Sequence, residues 1–127
     1  MDLLAVFLGG GIGSSSRYLL SKIINQHSNT LFPLGTLAVN IAGCLIIGFA
    51  FKLFEDIVIP NEVRIFIITG FLGGFTTFSS FSLETVNLIK SNELLNSVLN
   101  IVVSIILGLL FVVAGMLLAK LCLQKWR

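Results

Sequence analysis

Between Gly70 and Glu84 the chain reads Gly-Phe-Leu-Gly-Gly-Phe-Thr-Thr-Phe-Ser-Ser-Phe-Ser-Leu-Glu, so glycines, hydroxyls and phenylalanine rings are interleaved within an otherwise apolar stretch. Lipid contact alone asks for none of that. Gly70, Gly73 and Gly74 followed by Thr76 and Thr77 make a poor helix core, because glycine costs about 1 kcal/mol relative to alanine and threonine is β-branched. The run predicts a break near Gly73 to Thr77. Unwound backbone at bilayer depth persists where its carbonyls are buried in protein or satisfied by water or an ion. Carbonyls from two crossing copies would cage a small monovalent cation, and sodium suits such a hard oxygen site. A kink relieved by the neighbouring hydroxyls accounts for the same residues.

Beyond the predicted break, Phe78 and Phe81 are three apart on one helical face, which Ser82 and Thr85 continue. Rings at that spacing serve packing or lipid contact in many helices. Their edges are also electropositive, because the ring quadrupole is negative on the faces and positive at the rim. Two such edges, with the Asn40 amide and hydroxyl donors nearby, make a weakly polar site for a small dehydrated anion, without a fixed positive charge that would hold it too tightly for conduction. Asn40 has Thr36 one turn before it and Gly43 on a similar face; an amide that merely glues helices together would look the same. Ser97, Asn100, Ser104 and Gly108 form one helical stripe. The stripe is either a polar track or a set of serines bonded back to their own helix.

The elements that must position these residues follow from composition. Of the 127 residues, 56% are hydrophobic and only 11% charged, which marks an integral membrane protein. A helical crossing takes about 20 mostly apolar residues, and the chain divides into four such blocks at roughly 3–24, 33–54, 63–89 and 96–122. The expected fold is all-α, a single four-helix transmembrane domain over residues 1–127 with short aqueous turns and antiparallel neighbours. The first block lacks a basic leader, carrying Asp2 instead, and holds glycines and Arg17, so it reads as a retained helix rather than a signal peptide.

Net charge is +2. With four spans, Lys52, Arg64, Lys120, Lys125 and Arg127 fall on one side, against Lys22, Lys90 and Arg17 on the other. The positive-inside rule favours cytoplasmic termini, but the bias is small and admits insertion in both orientations. A four-helix unit this small needs most of its inner faces for packing, so an oligomer is expected around any aqueous pathway. Copies inserted both ways would meet antiparallel about a two-fold axis in the membrane plane. Gly9-xxx-Gly13 and Gly70-xxx-Gly74 supply small faces for close helix approach. Cys44 and Cys122 read as buried free thiols, and His27 as a surface residue in a turn. There is no nucleotide-binding glycine loop, no His/Glu metal cluster and no nucleophile beside a base. The pattern excludes an enzyme, and no nucleic-acid partner is expected; the chain's surroundings are the lipid bilayer.

Three segments carry a family resemblance: Gly9-Gly-Gly-Ile-Gly-Ser-Ser-Ser-Arg17-Tyr18, Pro33-Leu-Gly-Thr-Leu-Ala-Val-Asn40-Ile-Ala-Gly43, and the Gly70 to Glu84 run. In this order, over nearly the whole chain, they resemble the small fluoride channels of the Fluc or CrcB family. The resemblance implies a dual-topology antiparallel homodimer in a microbial cell membrane, with two fluoride pathways, a central structural sodium ion and passive export of fluoride. By position, Phe78 and Phe81 match the family's pore phenylalanines and Asn40 its pore asparagine. Ser79, Ser80 and Ser82 fall among its third-helix hydroxyls, Arg17 matches an arginine near the aqueous vestibule, and Gly73 and Thr76 match the positions whose backbone carbonyls hold sodium. In the fourth helix Asn100 stands where many members have tyrosine and Gly108 where a hydroxyl is common. Ser104 is the match carried there, and Asn100 joins it as a pathway residue.

Two other functions suit a chain of this size. A small multidrug transporter shares four spans and dual topology, but needs a membrane-embedded carboxylate in the first helix, and none stands at its centre. A non-transporting membrane assembly partner would share the hydrophobicity and small-residue faces and carry no ion flux.

Overall fold

The computed structural model describes residues 1–125, so the Arg127 counted in the charge balance lies outside the described residues. Among the described residues four helical spans are long and apolar enough to cross a membrane: Asp2–Gln26, Leu34–Asp56, Asn61–Lys90 and Leu94–Gln124. The first is α1 and the second α2. The third span begins as α3 (Asn61–Arg64), widens into a π-helical stretch over Ile65–Leu72, closes with the single turn α4 (Gly73–Phe75), and resumes as α5 (Phe78–Lys90). The fourth is α6 (Leu94–Gln124).

Polar contacts tie the ends of neighbouring spans together. Asn25 Oδ1 accepts a hydrogen bond from Gly35 N at 3.0 Å, which ties the end of α1 to the first turn of α2. Arg64 Nη2 donates to the Phe54 carbonyl at 2.9 Å, satisfying one of the orphan carbonyls that every helix C-terminus leaves. The same guanidinium lies over the Phe54 ring, 6.0 Å from its centroid. The turn into α6 passes through Asn92 at φ 59°, a left-handed conformation that asparagine tolerates better than most residues.

α2 is the central helix, in contact with α1, the third span and α6. Its long partner is α6, and the approach is set by glycine: a Cβ on Gly48 would strike the Val112 carbonyl oxygen, and one on Gly115 the Leu45 carbonyl oxygen. On the other side α1 packs on the π-helical stretch and α4. There the two small faces legible in the sequence meet each other, since a Cβ on Gly70 would come within 3.0 Å of Gly9 Cα and one on Gly74 within 3.1 Å of Gly10 Cα. Gly70 and Gly74 therefore serve close approach, Gly73 has nothing within 4 Å, and all three stay helical. It is Thr76 (φ −80°, ψ 158°) and Thr77 (φ −150°, ψ 119°) that adopt extended backbone.

These contacts give a mutational test. Gly48→Leu forces a side chain into a backbone carbonyl that no rotamer change relieves, and is expected to cost about 3 kcal/mol or more, read as loss of the monodisperse peak in size-exclusion chromatography. Gly11→Leu, at a position with nothing within 4 Å, should leave that peak intact.

Candidate functional site

One face of α2 builds the site by meeting the third span at three successive positions. Thr36 Oγ1 donates to Glu84 Oε1 at 2.8 Å, Asn40 engages Thr77, and Gly43 leaves room for the Thr76 methyl group. The Asn40 contact is a two-way clamp: Nδ2 donates to the Thr77 carbonyl at 3.0 Å and Oδ1 accepts from Thr77 N at 2.8 Å. The N–H that the break takes out of the helical ladder is thus satisfied by a side-chain amide that also holds the carbonyl of the same residue, as backbone within an apolar span requires. An amide nitrogen carries two protons, so one N–H of Asn40 remains for another acceptor.

The clamp redirects other bonds. In an uninterrupted α-helix Thr77 N would bond the Gly73 carbonyl and Ser80 N the Thr76 carbonyl. Here Thr77 N is held by Asn40, and Ser80 N donates instead to Thr77 Oγ1 at 3.2 Å, capping α5. The carbonyls of Gly73 and Thr76 are thereby released from their usual donors. Thr77 Oγ1 also meets Ser80 Oγ at 3.1 Å and Ser79 Oγ at 3.3 Å.

Beside the clamp opens a cavity of about 420 Å³ whose wall includes Asn40, Cys44, Gly73, Phe78, Phe81 and Ser104. The Phe78 and Phe81 rings lie 5.7 Å apart between centroids and are tilted by 38°. Phe78 is 79% exposed, an unusual state for so large a ring beside a cavity. Behind this wall α6 carries a buried polar chain: Ser104 Oγ lies 3.5 Å from Asn100 Oδ1, Asn100 Nδ2 donates to Thr85 Oγ1 at 2.9 Å, and Thr85 Oγ1 donates to the Phe81 carbonyl at 2.7 Å. Ser97 Oγ adds a bond to the Thr85 carbonyl at 3.3 Å. A second, more polar cavity of about 310 Å³ is bordered by Asn25, Ser28, Glu84, Asn87 and Ser91. Glu84 Oε2 and Ser28 Oγ are buried without a hydrogen-bond partner.

Residues 4–116 match the family model described as CrcB-like protein, Camphor Resistance (CrcB). The chain belongs to the CrcB family. It is similar to relatives named Fluoride-specific ion channel FluC. One, from Flavobacterium psychrophilum, is 44% identical over 91% of this chain and 94% of its own length. Another, from Phocaeicola vulgatus, is 45% identical over 94% and 98%, and a third, from Aquifex aeolicus, is 41% identical over 91% and 94%.

Within this CrcB chain, the structure brings Asn40, Gly73, Thr76, Phe78, Phe81 and Ser104 to one cavity. Asn100 stands behind that cavity, 1% exposed, and is linked to its wall through Ser104 on one side and through Thr85 and the Phe81 carbonyl on the other. Ser82 Oγ returns a bond to the Phe78 carbonyl at 2.9 Å within its own helix, and Ser79 and Ser80 turn to Thr77 Oγ1. Arg17, on α1, borders neither cavity. The expectation of two buried thiols needs correction: Cys44 is half-buried at the cavity wall and Cys122 is exposed, because α6 turns most of its apolar surface outward. Sequence reasoning missed Thr77 and Thr85 as site residues. For Thr77 a signal existed, since threonine just before a restarting helix is a favoured N-cap. Thr85 was legible only as a continuation of the Phe78 and Phe81 face, because the partner that makes it part of the buried chain, Asn100, lies on another span.

Proposed function

We propose that this multi-pass membrane protein, which is not an enzyme, is a passive, fluoride-selective ion channel that exports fluoride from the cytoplasm. The observation that carries the reading is the meeting of the Phe78 and Phe81 rings, the Asn40 amide and the Ser104 hydroxyl around one cavity, in a chain whose relatives are named as fluoride-specific channels. Fluoride sheds water against the ring edges, the uncommitted Asn40 N–H and the Ser104 hydroxyl. Among the described residues no formal positive charge borders this cavity, so the anion is held weakly enough to leave. Ser79, Ser80 and Ser82 line the approach along α5, and Arg17 draws anions at the vestibule.

In this reading the working unit is an antiparallel homodimer with two pathways. The exposure of Phe78 beside an open cavity supports a second copy closing that face. The third span acts as a broken helix, and the carbonyls of Gly73 and Thr76, diverted from their ordinary donors, fit a small monovalent cation with hard oxygen ligands. Sodium bound there would pin the two copies at their crossing.

The test is ion efflux from liposomes holding the purified protein alone, loaded with fluoride or chloride, with valinomycin present to relieve charge build-up. Fluoride is expected to leave rapidly and chloride to stay. Retention of both ions by demonstrably dimeric protein would overturn the reading.

A further inference from the structure

We infer that Asn100 is a positioning residue that competes with the transported anion for the hydroxyl proton of Ser104, and so sets how tightly the anion is held. The inference rests on the anion-channel reading above and goes beyond it by assigning a control on that site to a residue the anion does not touch.

The direction of every bond in the buried chain follows from counting protons. Thr85 Oγ1 has one proton, and it goes to the Phe81 carbonyl at 2.7 Å. Toward Asn100 it therefore accepts, which turns Nδ2 to Thr85 at 2.9 Å and leaves Oδ1 facing Ser104. A carbonyl oxygen has no proton to give, so Ser104 is the donor across the 3.5 Å gap. With its one proton turned to Asn100, Ser104 at rest presents the cavity with lone pairs, which repel an anion.

For Ser104 to serve the anion, its hydroxyl must rotate about the Cβ–Oγ bond and release Asn100 Oδ1. No proton is transferred. The bond given up is long, since O–H···O bonds centre near 2.7–2.8 Å, so the exchange is easy. It still carries a penalty, because Asn100 is 1% exposed and Thr85 7%, and a buried acceptor left unpaired is unfavourable. That penalty is subtracted from whatever the anion gains at Ser104. The effect is a weaker hold and a faster exit, as conduction needs. Because the penalty is the same for any anion, Asn100 tunes occupancy and throughput, whereas ion choice is left to the rings and the cavity.

The experiment is fluoride efflux measured against fluoride concentration in liposomes containing wild type, Asn100→Leu, Ser104→Ala and the double variant. Asn100→Leu is expected to lower the half-saturating fluoride concentration roughly three- to tenfold, the size of one ordinary hydrogen bond, and to lower the maximal rate. On the Ser104→Ala background the same change should shift half-saturation by less than about twofold. A half-saturating concentration unchanged by Asn100→Leu, or an equal shift without the Ser104 hydroxyl, would overturn the inference and leave Asn100 as structural glue. Should Asn100→Leu fail to fold, Thr85→Val decides: it frees the amide to turn its N–H to Ser104 and is expected to tighten fluoride in the same Ser104-dependent way. Absence of any shift there counts equally against the proposal. A wild-type protein that passes no fluoride would instead bring down the channel reading itself.

Discussion

Asn40→Leu is expected to abolish fluoride efflux and to destabilise the folded protein by about 1–3 kcal/mol. The figure follows from the clamp: the Thr77 N–H loses its acceptor, and an unpaired buried donor costs about 1–3 kcal/mol, whereas the Thr77 carbonyl, as N-cap of α5, still accepts the first bond of that helix and loses only its second donor. Thr76 N keeps its bond to the Leu72 carbonyl at 3.0 Å, but the Thr77 N–H depends on Asn40, so the loss is structural before it is functional. Asn40→Asp separates the two bonds. It keeps an acceptor for Thr77 N and loses the donor to the Thr77 carbonyl, so it should fall between wild type and the leucine variant in thermal stability in detergent. A leucine variant that melts with wild type would show that Thr77 does not depend on this amide.

Phe81→Ile is expected to lower fluoride efflux by at least about tenfold while the protein still runs as wild type in size-exclusion chromatography. Isoleucine keeps the apolar bulk and removes the electropositive rim. Phe78→Ile should behave likewise with an even smaller effect on folding, since that ring is 79% exposed. The contrast is the other aromatic pair of the third span, Phe71 and Phe75, stacked at 5.6 Å and 11°. Phe75 is 5% exposed and borders neither cavity described above. Phe75→Ile is therefore expected to lower the melting temperature and leave efflux per folded molecule near wild type. Wild-type efflux from Phe81→Ile would remove the aromatic edges from the mechanism.

Much of this protein is written in local pattern. Apolar runs of bilayer length announce four spans, because a helix in hydrocarbon satisfies its own backbone and needs only lipid-compatible side chains. The Gly70 to Glu84 run declares itself for the converse reason: hydroxyls and glycines there have no use in lipid. The types of the cavity residues were legible for that reason, and the family resemblance added their numbers. What each residue bonds to was not legible. Asn40 reads equally as anion donor or helix glue until Thr77 is found within 3.0 Å of both ends of its amide. Gly48 and Gly115 belong to no spaced motif, yet they meet the carbonyls of the opposite helix as closely as the motif glycines meet theirs. The π-helical stretch over Ile65–Leu72 is an ordinary apolar run in sequence. Ser104 and Asn100 share one stripe on α6, but only the second is sealed, because Thr85 of α5 lies against it. Periodicity places a side chain on a face of its own helix, and the sequence by itself determined that much. Whether the face meets lipid, a carbonyl or a cavity depends on residues far away in the chain, and this only the tertiary structure decided.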